Sequence, residues 1–388
     1  MRQYERGLYV RRAPAPRPVV LPAQQRVLVP LEWGETALVS AGEPVRLGQR
    51  VADGAGEMVP LHAGVSGEVA AILPHNCAGG RRCPTLVLEN DGRNRPDPSI
   101  RPRALLDSLP DEQLLGFLYE AGIRLPDGKP LAAAVAAGEG RPLAVSAMDP
   151  EPGACAGEAA LLYDGEALFS GIWLLARLLK AERVSFVVGS GQREAIRAAK
   201  RWTGDRMELC VAGGPSPAGH PKRLSALLGG ALVLTAPAVA ASAHACYEGI
   251  PVIRETVCVC RERGQALFDV PLGMPVRAVL EAAGYSGGTV LWGGPLTGTR
   301  LECLDVPVVK GTAALTILEE RTPPPRTGCI RCGRCERVCP AELRPWMSQR
   351  RGRRRDWSGC LQCGACQYVC PAGLPLVYHI GREARSLG

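Results

Sequence analysis

Apolar and polar positions change rhythm along the chain, and each rhythm predicts a different kind of element. Up to about residue 98, Val45–Ala52 and Val65–Ile72 alternate apolar and polar side chains between glycine turns, the period of half-buried strands. From 104 to 248 the pattern becomes strand then helix, repeated. Leu114–Tyr119 reads as helix, Leu143–Ser146 as a buried strand and Ala167–Lys180 as an amphipathic helix. Val184–Val188 follows as a second strand, Arg193–Trp202 as a helix and Leu232–Thr235 as a third strand. Such alternation predicts an α/β layer with largely parallel strands. From 251 to 320 a small α+β unit is expected, with strands Thr256–Cys260 and Thr289–Trp292 and a helix Met274–Ala283 ending at Gly284. Val306–Val309 is apolar and strand-like, but Pro307 confines it to a sheet edge or strand start. Residues 327–388 show no such period and are ordered by cysteine and proline instead.

Two stretches separate these units. Asn90–Arg103, with Pro96, Pro98 and Pro102, reads as a linker, and Arg321–Arg326 as a stiff polyproline spacer. A chain of 388 residues exceeds one core, so the fold class is multidomain α/β plus β, divided at 1–98, 104–248, 251–320 and 327–388.

The last unit carries the chemistry. Cys329, Cys332, Cys335 and Cys339-Pro340 are followed by Cys360, Cys363, Cys366 and Cys370-Pro371. Two copies of C-x2-C-x2-C-x3-C-P form the run of two-cluster ferredoxins, in which the fourth cysteine of each copy ligates the other cluster. Three cysteines at that spacing wrap one cubane; the fourth enters a helical turn and points away. Cys329, Cys332, Cys335 and Cys370 are therefore expected on one [4Fe–4S] centre, and Cys360, Cys363, Cys366 and Cys339 on the other. The competing reading is a pair of structural zinc sites, but zinc sets come as separated C-x2-4-C pairs rather than three cysteines in succession.

Charge and the remaining cysteines narrow the setting. From Arg321 onward, thirteen Arg face four acids, a net +9, so the first 320 residues sum to −1. The excess centres on Arg350, Arg351, Arg353, Arg354 and Arg355. No nucleic-acid recognition motif accompanies it, so compensation of anionic cofactors or docking of an acidic redox partner is the better reading. Eight further cysteines, among them Cys77, Cys83, Cys155, Cys258 and Cys260, are scattered without ligand spacing, and with no export signal at Met1–Arg6 they read as a reducing, cytoplasmic setting. Cys258 and Cys260 share a strand face and read as packing residues. No apolar run approaches the roughly 18 residues of a membrane span. Gly189-Ser190-Gly191 lacks the third glycine of a dinucleotide loop, Glu194 taking its place, and reads as a plain βα turn.

The order of segments resembles the RnfC family, a component of the Rnf electron-transport complex, with related cobalamin-reductase and proline-reductase-associated iron–sulfur proteins. The resemblance covers nearly the whole chain. It rests on Gly48-Gln49 through His62-Ala63 and Ser66-Gly67, on Glu151-Pro152, on Gly293-Gly294-Pro295-Leu296-Thr297-Gly298, and on both cysteine runs. Pro60–Gly67 is similar to the hairpin of biotinyl-type domains, but it holds no lysine for a prosthetic group, and His62 reads as structural. The resemblance implies an N-terminal barrel-sandwich, an α/β domain like the flavoprotein component of respiratory complex I, a soluble-ligand-binding β-grasp (SLBB) unit and a ferredoxin tail. It further implies NADH and FMN in the α/β domain, redox partners among membrane subunits, and a peripheral place on the cytoplasmic face of the membrane.

Departures from the family pattern fall at the flavin loops. Where paired glycines should follow Ile123, the chain has Arg124-Leu-Pro-Asp-Gly-Lys129-Pro. Asp149 stands in for a family acid ahead of Glu151-Pro152, and Gly219-His220-Pro221-Lys222-Arg223 has proline where the family has an acid. Anion cradles need close backbone approach and consecutive N–H groups, which prolines and missing glycines remove. Family-type FMN and NADH binding is therefore not expected, although Asp149, Glu151, Lys129 and Lys222 remain the candidate residues for it. The expected function is an iron–sulfur electron-transfer subunit without acid–base or nucleophilic chemistry; His75, His244 and His379 have no recognisable catalytic partner. A complete NADH:acceptor oxidoreductase using FMN would retain flavin through purification. A small-ligand scaffold would tolerate loss of Cys332 and Cys363.

Overall fold

The computed structural model describes residues 7–8, 13–32, 34–54, 58–262, 264–318, 327–350 and 355–385. Arg351, Arg353 and Arg354 and the spacer at 321–326 lie outside the described residues.

The N-terminal unit is two small antiparallel sheets closed on an aliphatic core. One orders Arg26–Pro30, Arg82–Asn90, Gly67–Asn76 and Pro44–Val45; the other orders Thr36–Ala37, Arg50–Asp53 and Leu61–His62. The alternation read in the sequence puts Val27, Val45, Val51, Val65, Val69 and Leu88 inside. At the far end of the long hairpin, Cys77 and Cys83 are joined as a disulfide, which corrects the reading of all eight outlying cysteines as separate thiols.

The next unit holds a four-stranded parallel sheet, ordered Glu208–Ala212, Val184–Gly189, Leu143–Ser146, Leu232–Thr235. Helices Ala156–Tyr163 and Gly165–Leu178 pack against it, burying Leu161, Leu168, Phe169, Ile172 and Leu175. Among the described residues no single helix is long and apolar enough to cross a membrane; these two pass such a test only as a pair, bent by 102°.

A mixed six-stranded sheet follows, ordered Val19–Val20, Gln265–Pro271, Arg254–Cys260, Ala314–Leu318, Thr289–Trp292, Thr299–Arg300. Its first strand comes from the far N-terminus and runs parallel to Gln265–Pro271. Val306–Val309 is no strand: Pro307 makes only an isolated bridge to Pro275. The helix Val276–Ala282 stops where Gly284 takes φ +74°.

One lysine ties these three units together. Lys310 is buried; its Nζ donates to Pro60 O at 2.8 Å and lies 3.3 Å from His62 Nδ1. Gly122 of the α/β unit presses against the same ammonium. Burial brings Lys310 down to about 7 and holds His62 well below its ordinary value. The structural role expected of His62 fits this placement.

Candidate metal centre

The C-terminal unit is built on two loops of one local conformation. Arg331 and Gln362 take φ +54° and +56°, Gly333 and Gly364 take +72° and +77°, and a one-turn helix follows each, Arg334–Arg337 and Ala365–Tyr368. Two left-handed residues in three turn the chain tightly enough that three cysteines face one point. Glycine adopts that region readily, whereas Arg331 and Gln362 are strained there.

The two loops enclose two cavities. Cys329, Cys332, Cys335 and Cys370 line the first, and Cys339, Cys360, Cys363 and Cys366 line the second. Each cavity takes three thiols from one run and one from the other. The helix Leu376–Arg385 covers both: Leu376 closes on the first cavity and Ile380, one turn on, closes on the second, and each is 1% exposed. Among the described residues no group of three or more His, Cys, Asp or Glu side chains is arranged to hold a metal ion. The donors surround cavities, an arrangement that fits a polynuclear core. Burial pushes the Cys335, Cys360 and Cys366 thiols up, and Cys363 up to about 11. Thiols so placed become thiolates only when a cationic core is bound. The Gln362 N–H donates to Cys360 Sγ at 3.3 Å, a bond of the kind that tunes a sulfur ligand.

The other candidate residues are engaged in structural bonds. Asp149 Oδ2 accepts from Gly157 N at 3.0 Å, at the start of the helix Ala156–Tyr163. Glu151 accepts from Leu296 N at 2.9 Å and Thr297 N at 3.0 Å, and from the Thr297 hydroxyl as well. Burial raises its carboxyl above the usual range while these donors oppose the rise. Gly294 is needed beside it, because a methyl group there would collide with the Glu151 side chain. Lys129 is exposed in the loop at Arg124–Pro130, its N–H on Asp127. Lys222 is exposed at the start of the helix Pro221–Leu227. Among the described residues no hydrogen bond or ion pair joins either lysine to Asp149 or Glu151. In the turn after Val184–Gly189, the Gln192 side chain bonds Gly189 N at 2.7 Å and Ala147 O at 3.2 Å.

Sequence reasoning missed how the cysteine unit is seated. Gly364 lies against the Leu296 carbonyl, so a side chain there would strike it. His220 Nδ1 accepts from Lys222 N at 3.3 Å, and its ring bonds the Leu361 backbone, while burial lowers its pKa. The second cavity thus abuts the turn at Leu296 on one side and the α/β unit on the other. The only available signal was Gly293–Gly298, whose glycines permit that approach. His244, read as lacking a partner, lies between Asp164 Oδ2 at 3.1 Å and Glu248 Oε1 at 2.8 Å.

Comparison with known proteins defines the class. Residues 1–93 match the RnfC barrel sandwich hybrid domain and 328–374 the 4Fe-4S dicluster domain, so the chain is an iron–sulfur protein of the dicluster type. It belongs to the RnfC family, whose members are components of ion-translocating oxidoreductase complexes. It is 27% identical over 380 residues to the corresponding component of the Na(+)-translocating ferredoxin:NAD(+) oxidoreductase complex of Acetobacterium woodii, covering 88% of this chain and 83% of that one. It is 31% identical over 378 residues to the corresponding component of the ion-translocating oxidoreductase complex of Erwinia tasmaniensis, covering 89% of this chain and 46% of that one. The matching Yersinia pestis protein is also 31% identical, with 88% and 59% covered. The chain therefore spans only about half the length of these last two relatives. Among solved structures, an NAD+-reducing [NiFe]-hydrogenase aligns at 18% identity over 63% of this chain and 55% of that one, TM-score 0.49.

Proposed function

We propose that this chain is the iron–sulfur electron-transfer subunit of an Rnf-type complex. Cys329, Cys332, Cys335 and Cys370 would hold one [4Fe–4S] cluster, and Cys339, Cys360, Cys363 and Cys366 the other. The observation that carries the reading is the sorting of eight thiols into two four-thiol cavities. When bound, the clusters supply one-electron storage. The chain's own contribution is to exclude water with Leu376 and Ile380, to direct backbone N–H groups at sulfur, and to present the clusters to partner subunits.

In the same reading the α/β and β-grasp units serve as scaffold, their boundaries falling near 104–248 and 251–320. Asp149 and Glu151 support this, since their carboxylates are taken by backbone N–H groups of the fold rather than left to a flavin or nucleotide. Attachment to a membrane would come through other subunits.

The test is anaerobic purification with iron, sulfide, zinc and flavin measured together. About eight irons per chain without flavin are expected. Stoichiometric flavin would favour a complete NADH:acceptor oxidoreductase. Fewer than about four irons, or stoichiometric zinc, would defeat the proposal.

A further inference from the structure

The two cavities sit in different surroundings, and the difference gives the pair a direction. The second is turned inward: its loop rests on the Leu296 carbonyl through Gly364 and on His220 through the Leu361 backbone. The first is turned outward. Cys332 is exposed, Ile330 beside it is 63% exposed, and Arg331, Arg334 and Arg337 all face solvent. None of these three arginines forms an ion pair among the described residues. The nearest acid in the run, Glu336, accepts from Arg344 Nε at 3.1 Å and Trp346 Nε1 at 3.2 Å.

An open groove runs between the helices Arg334–Arg337 and Ala365–Tyr368. Its rim carries Arg334, Arg337 and Tyr368, and its floor is Val338, Cys370 and Pro371. Cys370 is also the thiol that the second run lends to the first cavity, so the groove floor and the cavity wall are one surface. Tyr368 is 60% exposed, an amphipathic ring of the kind that anchors interfaces.

We propose that this groove is the docking site of a small acidic one-electron carrier protein, which exchanges electrons with the cluster held by Cys329, Cys332, Cys335 and Cys370. The inference rests on the two-cluster reading given above. Three unneutralised arginines around an apolar floor fit a partner that rings its own redox centre with carboxylates, because opposite potentials steer the encounter. One electron passes between the centres: one is oxidised and the other reduced by one, with no bond made and no proton moved. The inner cluster then takes its electron from the outer one rather than from solvent.

The experiment follows reduction of the anaerobically purified full chain by a small acidic [2Fe–2S] ferredoxin in a stopped-flow instrument, from about 20 to 300 mM salt, with ferredoxin binding measured by calorimetry in parallel. Wild-type rates should fall about tenfold or more across that range. Arg334→Glu with Arg337→Glu should cut the low-salt rate by about 10- to 100-fold, flatten the salt dependence and weaken binding. Iron content and the dithionite-reduced paramagnetic spectrum should stay unchanged. Arg193→Glu, an exposed arginine of the α/β unit, should behave as wild type. An iron-loaded double variant with wild-type rate and salt slope would overturn the docking site while sparing the two-cluster reading. Wild-type protein without clusters would overturn both. If the reversals prevent iron loading, the Gln pair at the same positions is read identically, with a loss of about threefold expected from charge removal alone.

Discussion

Glu151 belongs to a Glu-Pro pair that the family resemblance ties to cofactor binding, yet its carboxylate clasps the turn at Leu296 and Thr297. Glu151→Ala leaves two backbone N–H groups without an acceptor, so a loss of about 1–3 kcal/mol is expected, read as a lower thermal midpoint. Since that turn seats Gly364, the variant should also release iron to a chelator faster. His244 gives a pH signature. Its hydrogen bond to Asp164, with a second to Glu248, opposes the effect of burial and raises its pKa from 6.5 to about 9. The folded state therefore binds the proton more tightly than the unfolded one. The ion pairs stabilise fully below about pH 6.5, and their contribution fades as pH climbs through about 9. Urea midpoints of wild type and His244→Gln should differ at pH 6, by under about 1 kcal/mol for so partly exposed a pair, and converge at pH 9.5. A difference that persisted at pH 9.5 would refute the assignment.

Among the elements, those with an uninterrupted signal were legible and those made by company were not. Leu143–Ser146, Val184–Gly189 and Leu232–Thr235 are apolar nearly throughout, as central parallel strands must be, and the sequence reading located all three. Glu208–Ala212 lies at the sheet edge with no fully buried residue, so its pattern is weak and it escaped notice. Val19–Val20 is a strand only because Gln265–Pro271 lies alongside, and no local pattern encodes that. Val306–Val309 had the composition of a strand, but Pro307 cannot donate to a ladder. The paired cysteine loops were legible to the residue because spacing fixes them. Their crosswise sharing has its own test: Cys339→Ser, in the first run, should disturb the cluster of Cys360, Cys363 and Cys366. Iron should fall from about eight toward about four, and the surviving paramagnetic signal should be the one that Cys332→Ser removes.

At the scale of the molecule, the joints between units were hidden from the sequence. Lys310 reads as one more surface lysine, yet it is buried where three units meet, against Pro60, His62 and Gly122. Gly122 has φ +69°, and a methyl group there would lie 2.6 Å from Pro60 O. Gly122→Ala should cost about 1–3 kcal/mol and broaden the unfolding transition in calorimetry as the units lose cooperativity. The same holds for Cys77 and Cys83, whose pairing depends on the hairpin that brings them together.

The loan of Cys370 to one cavity and Cys339 to the other has a bearing on how the tail matures. Neither basket can be finished by its own stretch of chain, so a half-synthesised tail offers three sulfurs and a gap. The later basket finds its borrowed sulfur already made, while the earlier one must wait until residue 370 has left the ribosome. Loading of the inorganic cores should accordingly begin only once nearly the whole tail exists, and a nascent chain halted ahead of Cys360 should carry none.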